Sequence, residues 1–179
     1  MTVGSGPAIT IAPYDASWPD LFERERASLA TTIQEWIVGG IEHVGSTAVP
    51  GLAAKPVIDV MVGVESLDAS RAAVPRLAAI GYVYAPYRAD VMHWFCKPSL
   101  ARRTHHVHLV PFAGELWNER LAFRDYLRTH SDTAAEYASL KRTLADRHRD
   151  DREAYTEAKG PFVARVVALA RAESSHAPR

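Results

Sequence analysis

Val57-Ile58-Asp59-Val60-Met61-Val62-Gly63-Val64 is an apolar run of strand length broken by one acid. A run of this kind predicts a β-strand covered on both faces, which belongs inside an α/β domain. Its acid is the residue that most needs explaining. A carboxylate within such a strand is costly to bury unless a cation or hydrogen bonds meet it.

The segment before this strand sharpens the reading. Residues 41–44 read as a short strand, followed by Gly45-Ser46-Thr47-Ala48 and a Pro50-Gly51 turn. A glycine and a hydroxyl residue at a strand end let backbone approach a ligand, and exposed amides there can cradle phosphate. If the two strands are neighbours, Ser46 and Asp59 meet at one end of the sheet and form a metal-phosphate site. The plain alternative is an ordinary Gly-Ser turn beside an aspartate that satisfies loop amides.

Farther out, residues 9–12 form a short apolar start and residues 13–19 a turn, where Asp15 or Ser17 could cap a helix over 19–36. Leu21, Phe22, Leu29, Ile33 and Trp36 share its apolar face, Glu23, Arg24 and Glu25 face water, and Gly39 and Gly40 end it. Downstream, a helix over 68–80 turns Leu67, Val74, Leu77 and Ala78 inward and stops at Gly81. Strands follow over 82–85, 92–97 and 105–110, then helices over 117–128, 133–148 and 151–171. The expected fold is α/β (α+β), a mixed β-sheet with flanking helices over about 9–112 and a helical half over about 113–172. One domain over 1–179 is expected, because no linker separates the halves.

With 47% hydrophobic and 23% charged residues, the chain has the balance of a folded globular protein. Lysine plus arginine equal aspartate plus glutamate at 21 each, so no net field draws it to nucleic acid or an anionic membrane. Any anionic ligand must be held by a local cluster. Cys96 is the sole cysteine, which excludes an intrachain disulfide and a cysteine-based zinc cage. Neither a secretory start nor a membrane-length apolar run is present, so a cytoplasmic location is expected. Residues 1–7 and 173–179, small, polar or proline-rich, are expected to fray.

His106 and His108 lie two apart in an expected strand and therefore share a face, opposite His105 and Val107. Together with Asp59 they make a candidate catalytic and metal-binding set. A divalent cation is the cofactor expected, magnesium, manganese or zinc, and two imidazoles favour zinc, manganese or iron over magnesium. The plain reading of the pair is two histidines bonded within the sheet. Glu42 and His43 point to opposite faces, and His43 is the one expected to look into the cleft. Lys55, Arg102 and Arg103, beside strand ends, are candidate phosphate contacts. Trp94, Phe95, Trp117, Phe123 and Tyr126 read as core or cleft wall, because no basic excess accompanies them.

The run Glu42-His43-Val44-Gly45-Ser46-Thr47-Ala48-Val49-Pro50-Gly51-Leu52, continued by Ala54-Lys55-Pro56-Val57-Ile58-Asp59-Val60, closely resembles the signature of the GrpB family. His106-Val107-His108-Leu109, Phe123-Arg124-Asp125-Tyr126-Leu127-Arg128, Tyr137 with Leu140-Lys141, and Tyr155 with Lys159 are similar too. The resemblance covers about 9–170 and implies a nucleotidyltransferase-like fold. A similar domain is fused to dephospho-CoA kinase in some bacteria. The implied partner is a nucleotide or another phosphorylated small molecule, bound by Gly45, Ser46, Thr47, Lys55, Arg103, Arg124 and Lys141. Arg124, Arg128, Lys141 and Lys159 would form a basic wall, unless Arg124 and Arg128 simply pair with Asp125 or Glu119.

Nucleotidyltransferases carry two carboxylates in alternate positions of this strand, because side chains two apart bind magnesium together. Here Met61 stands at the second position, and a thioether is a poor magnesium ligand. Metal-dependent nucleotidyl or phosphoryl transfer is the leading expectation. A non-catalytic ligand-binding or accessory module, and a His/Asp metal enzyme acting on a small metabolite, are the alternatives.

Overall fold

The computed structural model describes residues 8–176. Its elements run α1 (Trp18–Thr32), β1 (Ile41–Val44), β2 (Ile58–Val64), α2 (Ala73–Ala79), β3 (Val83–Ala85), β4 (His93–Pro98) and β5 (Arg103–Pro111). Then come α3 (Glu115–Thr129), α4 (Ser131–Arg147), α5 (Arg152–Ala158) and α6 (Gly160–His176). The strands form one mixed sheet in the order β1-β2-β5-β4-β3, in which only β2 and β5 run parallel. This is the expected α/β half followed by a helical half. Among the described residues no helix is long and apolar enough to cross a membrane.

Alternation along β2 explains why both faces are covered. Ile58, Val60, Val62 and Val64 pack with Phe22, Leu29 and Ile33 around α1 and with Leu77 of α2. Met61 points the other way, into a cluster with Val44, Met92, Trp94, Cys96, Val110 and Trp117. The helical half has its own core, where Leu127, Tyr137, Phe162 and Val166 close over Val49 and Leu52. That contact seats the helices on the segment that follows β1. Trp94, Phe95 and Trp117 are buried, as expected of core side chains.

Several boundaries differ from expectation for identifiable reasons. The first helix gives way after Thr32 to a single 3-10 turn, Gln34–Trp36. There Thr31 and Thr32 bond back to the carbonyls of Ala27 and Ser28, and Ile33 adds a third β-branched residue. Ser17 makes no side-chain cap; Asp15 instead accepts the Ser17 amide at 2.8 Å. The second helix begins only at Ala73 because Pro75 cannot sit inside a longer one, and residues 68–72 form turns. Ala73 is buried in place of Ala78, which is exposed. The expected last helix is two, with Pro161 in the first turn of α6 and Asp151 accepting the Glu153 and Ala154 amides at the start of α5. Residues 173–176 continue α6 rather than fray; residues 1–7 and 177–179 lie outside the described residues.

Two polar side chains depart from expectation. Glu25 is buried, not in water: it accepts the Tyr82 hydroxyl at 2.6 Å and the Lys97 ammonium. It falls on the apolar face at Phe22, Glu25, Leu29 and Ile33, the helical i, i+3, i+4 pattern itself. His43 is not on the Asp59 face of the sheet. The β1–β2 register pairs Val44 with Asp59, so Glu42 shares the Asp59 face and His43 lies against α1. There its ring stacks on Phe22 at 4.7 Å, and its Nε2 is hydrogen-bonded with Thr47 Oγ1 at 2.9 Å.

Glu25→Ala removes the acceptor of a buried hydroxyl and a half-buried ammonium and is expected to cost about 3 kcal/mol, against about 1 kcal/mol for Tyr82→Phe. Urea unfolding checks this; a loss for Glu25→Ala no larger than that of a surface substitution contradicts the buried assignment. Burial, reinforced by Arg128 and Arg124 and opposed by Asp59, lowers the His43 imidazole to about 4. In the unfolded chain the ring protonates near pH 6.5, so its stabilising contribution is full above about 6.5 and is lost as pH falls toward about 4. Unfolding free energy should therefore decline across that window, and less steeply in His43→Gln. Identical slopes in the two proteins contradict the assignment.

Candidate functional site

Asp59 is the second residue of β2 and lies beside the chain end of β1 and the middle of β5. Parallel pairing sets Asp59 opposite His106 and Met61 opposite His108, so carboxylate and imidazoles share one face. His106 Nδ1 bonds Asp59 Oδ1 at 2.8 Å, and His108 Nε2 is 3.5 Å from the same oxygen. One ligand atom from each of the three residues lies within 4.8 Å of the others. His105, on the other face as expected, is 4.0 Å from Glu25.

Gly45 makes this approach possible. Its φ of +73° suits glycine, and a Cβ there would stand 2.7 Å from Asp59 Oδ2. The turn therefore packs against the acid through Gly45. Ser46, next in the chain, is a neighbour of the buried Tyr137 hydroxyl, which burial pushes up and which also senses the Asp59 charge.

Burial pushes the Asp59 carboxyl up, but the hydrogen bonds from the His106 and His108 imidazoles outweigh it and hold the group well below the usual carboxylate range. The His108 imidazole is lowered to about 3, by burial first and then by Arg120, although Asp59 pulls the other way. It is therefore neutral at pH 7, the form in which imidazole binds a metal. Its Nδ1 faces Met92 Sδ at 3.4 Å, so Nε2 is turned toward Asp59. His106 Nε2 is buried with no partner among the described residues.

These donors fit a divalent cation. Around a tetrahedral ion with bonds of about 2.0–2.1 Å, neighbouring ligand atoms stand roughly 3.3 Å apart, close to the two separations seen here. One carboxylate with two imidazoles matches zinc, manganese or iron better than magnesium. The second carboxylate of a magnesium site is missing in space as well as in sequence. Met61 is wholly buried, and Glu42, opposite it on β1, receives Arg124 Nη1 at 2.6 Å.

The remaining candidates separate into two groups. Lys55 stands in the field of Asp59; its ammonium is lowered by burial, Arg152 and Arg103 and raised by Asp59. The guanidinium of Arg103 lies 4.9 Å above the Trp94 ring, whose centroid is 5.0 Å from that of His106. Arg124, by contrast, is committed to Glu42, Asp125 and the His43 carbonyl. That includes the expected pair with Asp125. Thr47 is buried and donates to Val57 O at 3.3 Å. Lys141 donates to the Ala53 carbonyl over the Tyr137 ring and is lowered to about 7 by burial and Lys159.

Arg120, which the sequence did not single out, and Lys159, named in the basic wall, also sense Asp59. Arg120 of α3 senses the Asp59 charge and approaches Met92 Sδ at 3.9 Å. It is one turn before Arg124, so the basic row continues on the same helix. Lys159, at the junction of α5 and α6, is lowered to about 8 by burial and Lys55 and raised by Asp59. A separate open cleft of about 480 Å³ on the β1 edge includes Glu42, His43, Arg124 and Arg128 but not Asp59.

The profile described as GrpB protein matches residues 8–168. The glutamate-rich protein GrpB of Alkalihalophilus pseudofirmus is 36% identical, over 92% of this chain and 97% of its own. The crystal structure of the conserved protein GrpB from Enterococcus faecalis superposes with a TM-score of 0.84 at 32% identity, covering 93% of this chain and all of that one. The dephospho-CoA kinase of Mycolicibacterium paratuberculosis is 29% identical across 86% of this chain, which spans 44% of that protein. A match over nearly the whole chain, carried by a relative and a solved fold of the same length, places this protein in the GrpB family.

Proposed function

We propose that the Asp59 cleft binds a nucleotide or another phosphorylated small molecule with a divalent cation, and that it catalyses phosphoryl or nucleotidyl transfer. One observation carries the reading: the ligand atoms of Asp59, His106 and His108 converge within 4.8 Å on one face of the sheet, in a field shared with Lys55, Lys159 and Arg120. A single carboxylate among so many cations suits an anionic ligand better than a cationic one. The likeness to a dephospho-CoA kinase adds support from an enzyme of phosphorylated cofactors.

Asp59, His106 and His108 would hold the cation, which when bound neutralises phosphate charge and polarises phosphorus–oxygen bonds. Phosphoryl transfer asks little of a protein beyond positioning and charge neutralisation. Gly45 lets backbone reach the phosphate, and the Ser46 hydroxyl, beside Tyr137, bonds it. Lys55, Lys159 and Arg103 neutralise the oxygens.

Met61 favours a second reading. Its burial with Met92 and Trp117 leaves no second carboxylate, which is consistent with a module that binds ligand without turnover. An assay for product release from nucleoside triphosphates by the metal-loaded protein separates the two.

Asp59→Ala is expected to abolish retention of divalent metal through dialysis and to weaken metal-dependent nucleotide binding by at least about tenfold. Elemental analysis and calorimetric titration read both; a variant that keeps its metal removes Asp59 from the site. Gly45→Ala should cost about 1–3 kcal/mol through its positive φ and also displace the Asp59 carboxylate. Metal affinity equal to that of the parent protein would show that this contact does not position the acid.

A further inference from the structure

We infer that the ligand of the Asp59 site is a nucleotide whose base stacks on the ring of Tyr87, while Arg120 holds a phosphate oxygen beside the cation. The inference deepens the proposed reading and rests on it for the cation and the other phosphate contacts. Its two residues come from the turn between β3 and β4, over 86–92, and from α3.

The turn is fixed from below. Met92, buried at its end, sets Sδ between two partners, His108 Nδ1 at 3.4 Å and Arg120 Nη2 at 3.9 Å. Its amide and that of Val91 both bond the Arg88 carbonyl, at 3.1 and 3.0 Å. Arg88 itself has a φ of +49°, a left-handed conformation that a long side chain keeps only where its surroundings impose it. This closed turn sets Tyr87 against Trp94, the two rings meeting at 6.2 Å and 69°. Trp94 in turn stands 5.0 Å from the His106 imidazole. Two ring-to-ring steps separate Tyr87 from a metal ligand, a reach that the sugar and phosphates of one nucleotide cover.

Of these two rings only Tyr87 has an open face. Trp94 is 6% exposed and lies under the Arg103 guanidinium at 4.9 Å, whereas Tyr87 is 43% exposed. Sealing Trp94 is the plain role for such a ring, but it leaves Arg120 unexplained. Arg120 is partly buried, and among the described residues its side chain meets a thioether and no carboxylate. Glu119, its neighbour in the chain, pairs with Arg171 at 3.6 Å. Burial lowers the Arg120 guanidinium, Asp59 raises it and Arg88 lowers it further, and Tyr87 also acts on it. One cation thus stands within reach of both the acid and the open ring. A guanidinium in this position is the natural partner of an anion, and its approach to the sulfur that touches His108 sets that anion beside the metal ligands. A base suits the ring because every base presents a π-face, which a phosphorylated sugar or acid lacks.

Calorimetric titration of the full chain in the presence of manganese compares ATP with ribose 5-triphosphate, which carries the same charges without the base. Wild-type protein should bind ATP at least about tenfold more tightly, as one base on one aromatic ring provides. Tyr87→Ala should remove that preference and leave the affinity for ribose 5-triphosphate unchanged, and Tyr87→Phe, which keeps the ring, should retain it. Arg120→Gln should weaken both ligands alike, by about tenfold. Equal affinity of the wild type for the two ligands overturns the inference, and so does a Tyr87→Ala protein that keeps the preference or loses both ligands equally. An Arg120→Gln protein with an unchanged melting curve and wild-type affinities overturns the phosphate contact. Tyr87 is exposed, so its variants decide the stacking even if Arg120→Gln fails to fold. Binding of neither ligand defeats the nucleotide reading of the Asp59 site as a whole, whereas equal binding of both defeats the stacking alone.

Discussion

The hydrogen bond between Asp59 and His106 joins β2 to β5 across the one parallel pairing of the sheet, at the point where β1 ends in Gly45. A carboxylate here would be intolerable against bare apolar side chains, and two imidazoles make it tolerable. The arrangement requires all three strands in their observed register. A shift of one residue in β5 would present His105 and Val107 to the acid instead. Fold and site are therefore one constraint: the register that buries Val60, Val62 and Val107 under α1 also brings Asp59, His106 and His108 together on the opposite face.

The helical half answers the charge of that face. Arg120 reaches it from α3, Tyr137 from α4 and Lys159 from the break between α5 and α6. Val49 and Leu52, following the Gly-Ser turn, pack with Leu127 and Phe162, so the turn is held between sheet and helices. The carboxylate and its cations thus come from separate layers. This explains why a chain with no net charge can still gather a local positive field around one acid.

Much of this was legible in the sequence, for physical reasons that differ by residue. The period of two placed His106 and His108 on one face, and an acid in an apolar strand marked Asp59 without further help. Glu25 lies inward despite its charge, because its spacing with Phe22, Leu29 and Ile33 places it on the apolar face of the helix. His43 and Glu42 exchanged roles because their face depends on which residue of β1 pairs with Asp59, a register that no local signal encodes. Arg124 carried a basic-wall signal that its ion pairs with Glu42 and Asp125 absorb, and Thr47 has its hydroxyl engaged with Val57 O within the fold. Tyr87 and Arg120 come beside the metal ligands only through the docking of the β3–β4 turn and of α3, long-range contacts beyond the reach of pattern reading.

The central claim is that Asp59, His106 and His108 share one divalent cation. X-ray absorption spectroscopy on the protein loaded with zinc or manganese examines it most directly. The account predicts a shell of nitrogen and oxygen ligands, at about 2.0–2.2 Å for zinc, with outer-shell scattering from two imidazoles, and loss of one imidazole's signal in His108→Ala. An ion that is not retained, or one whose spectrum contains no imidazole, would contradict it.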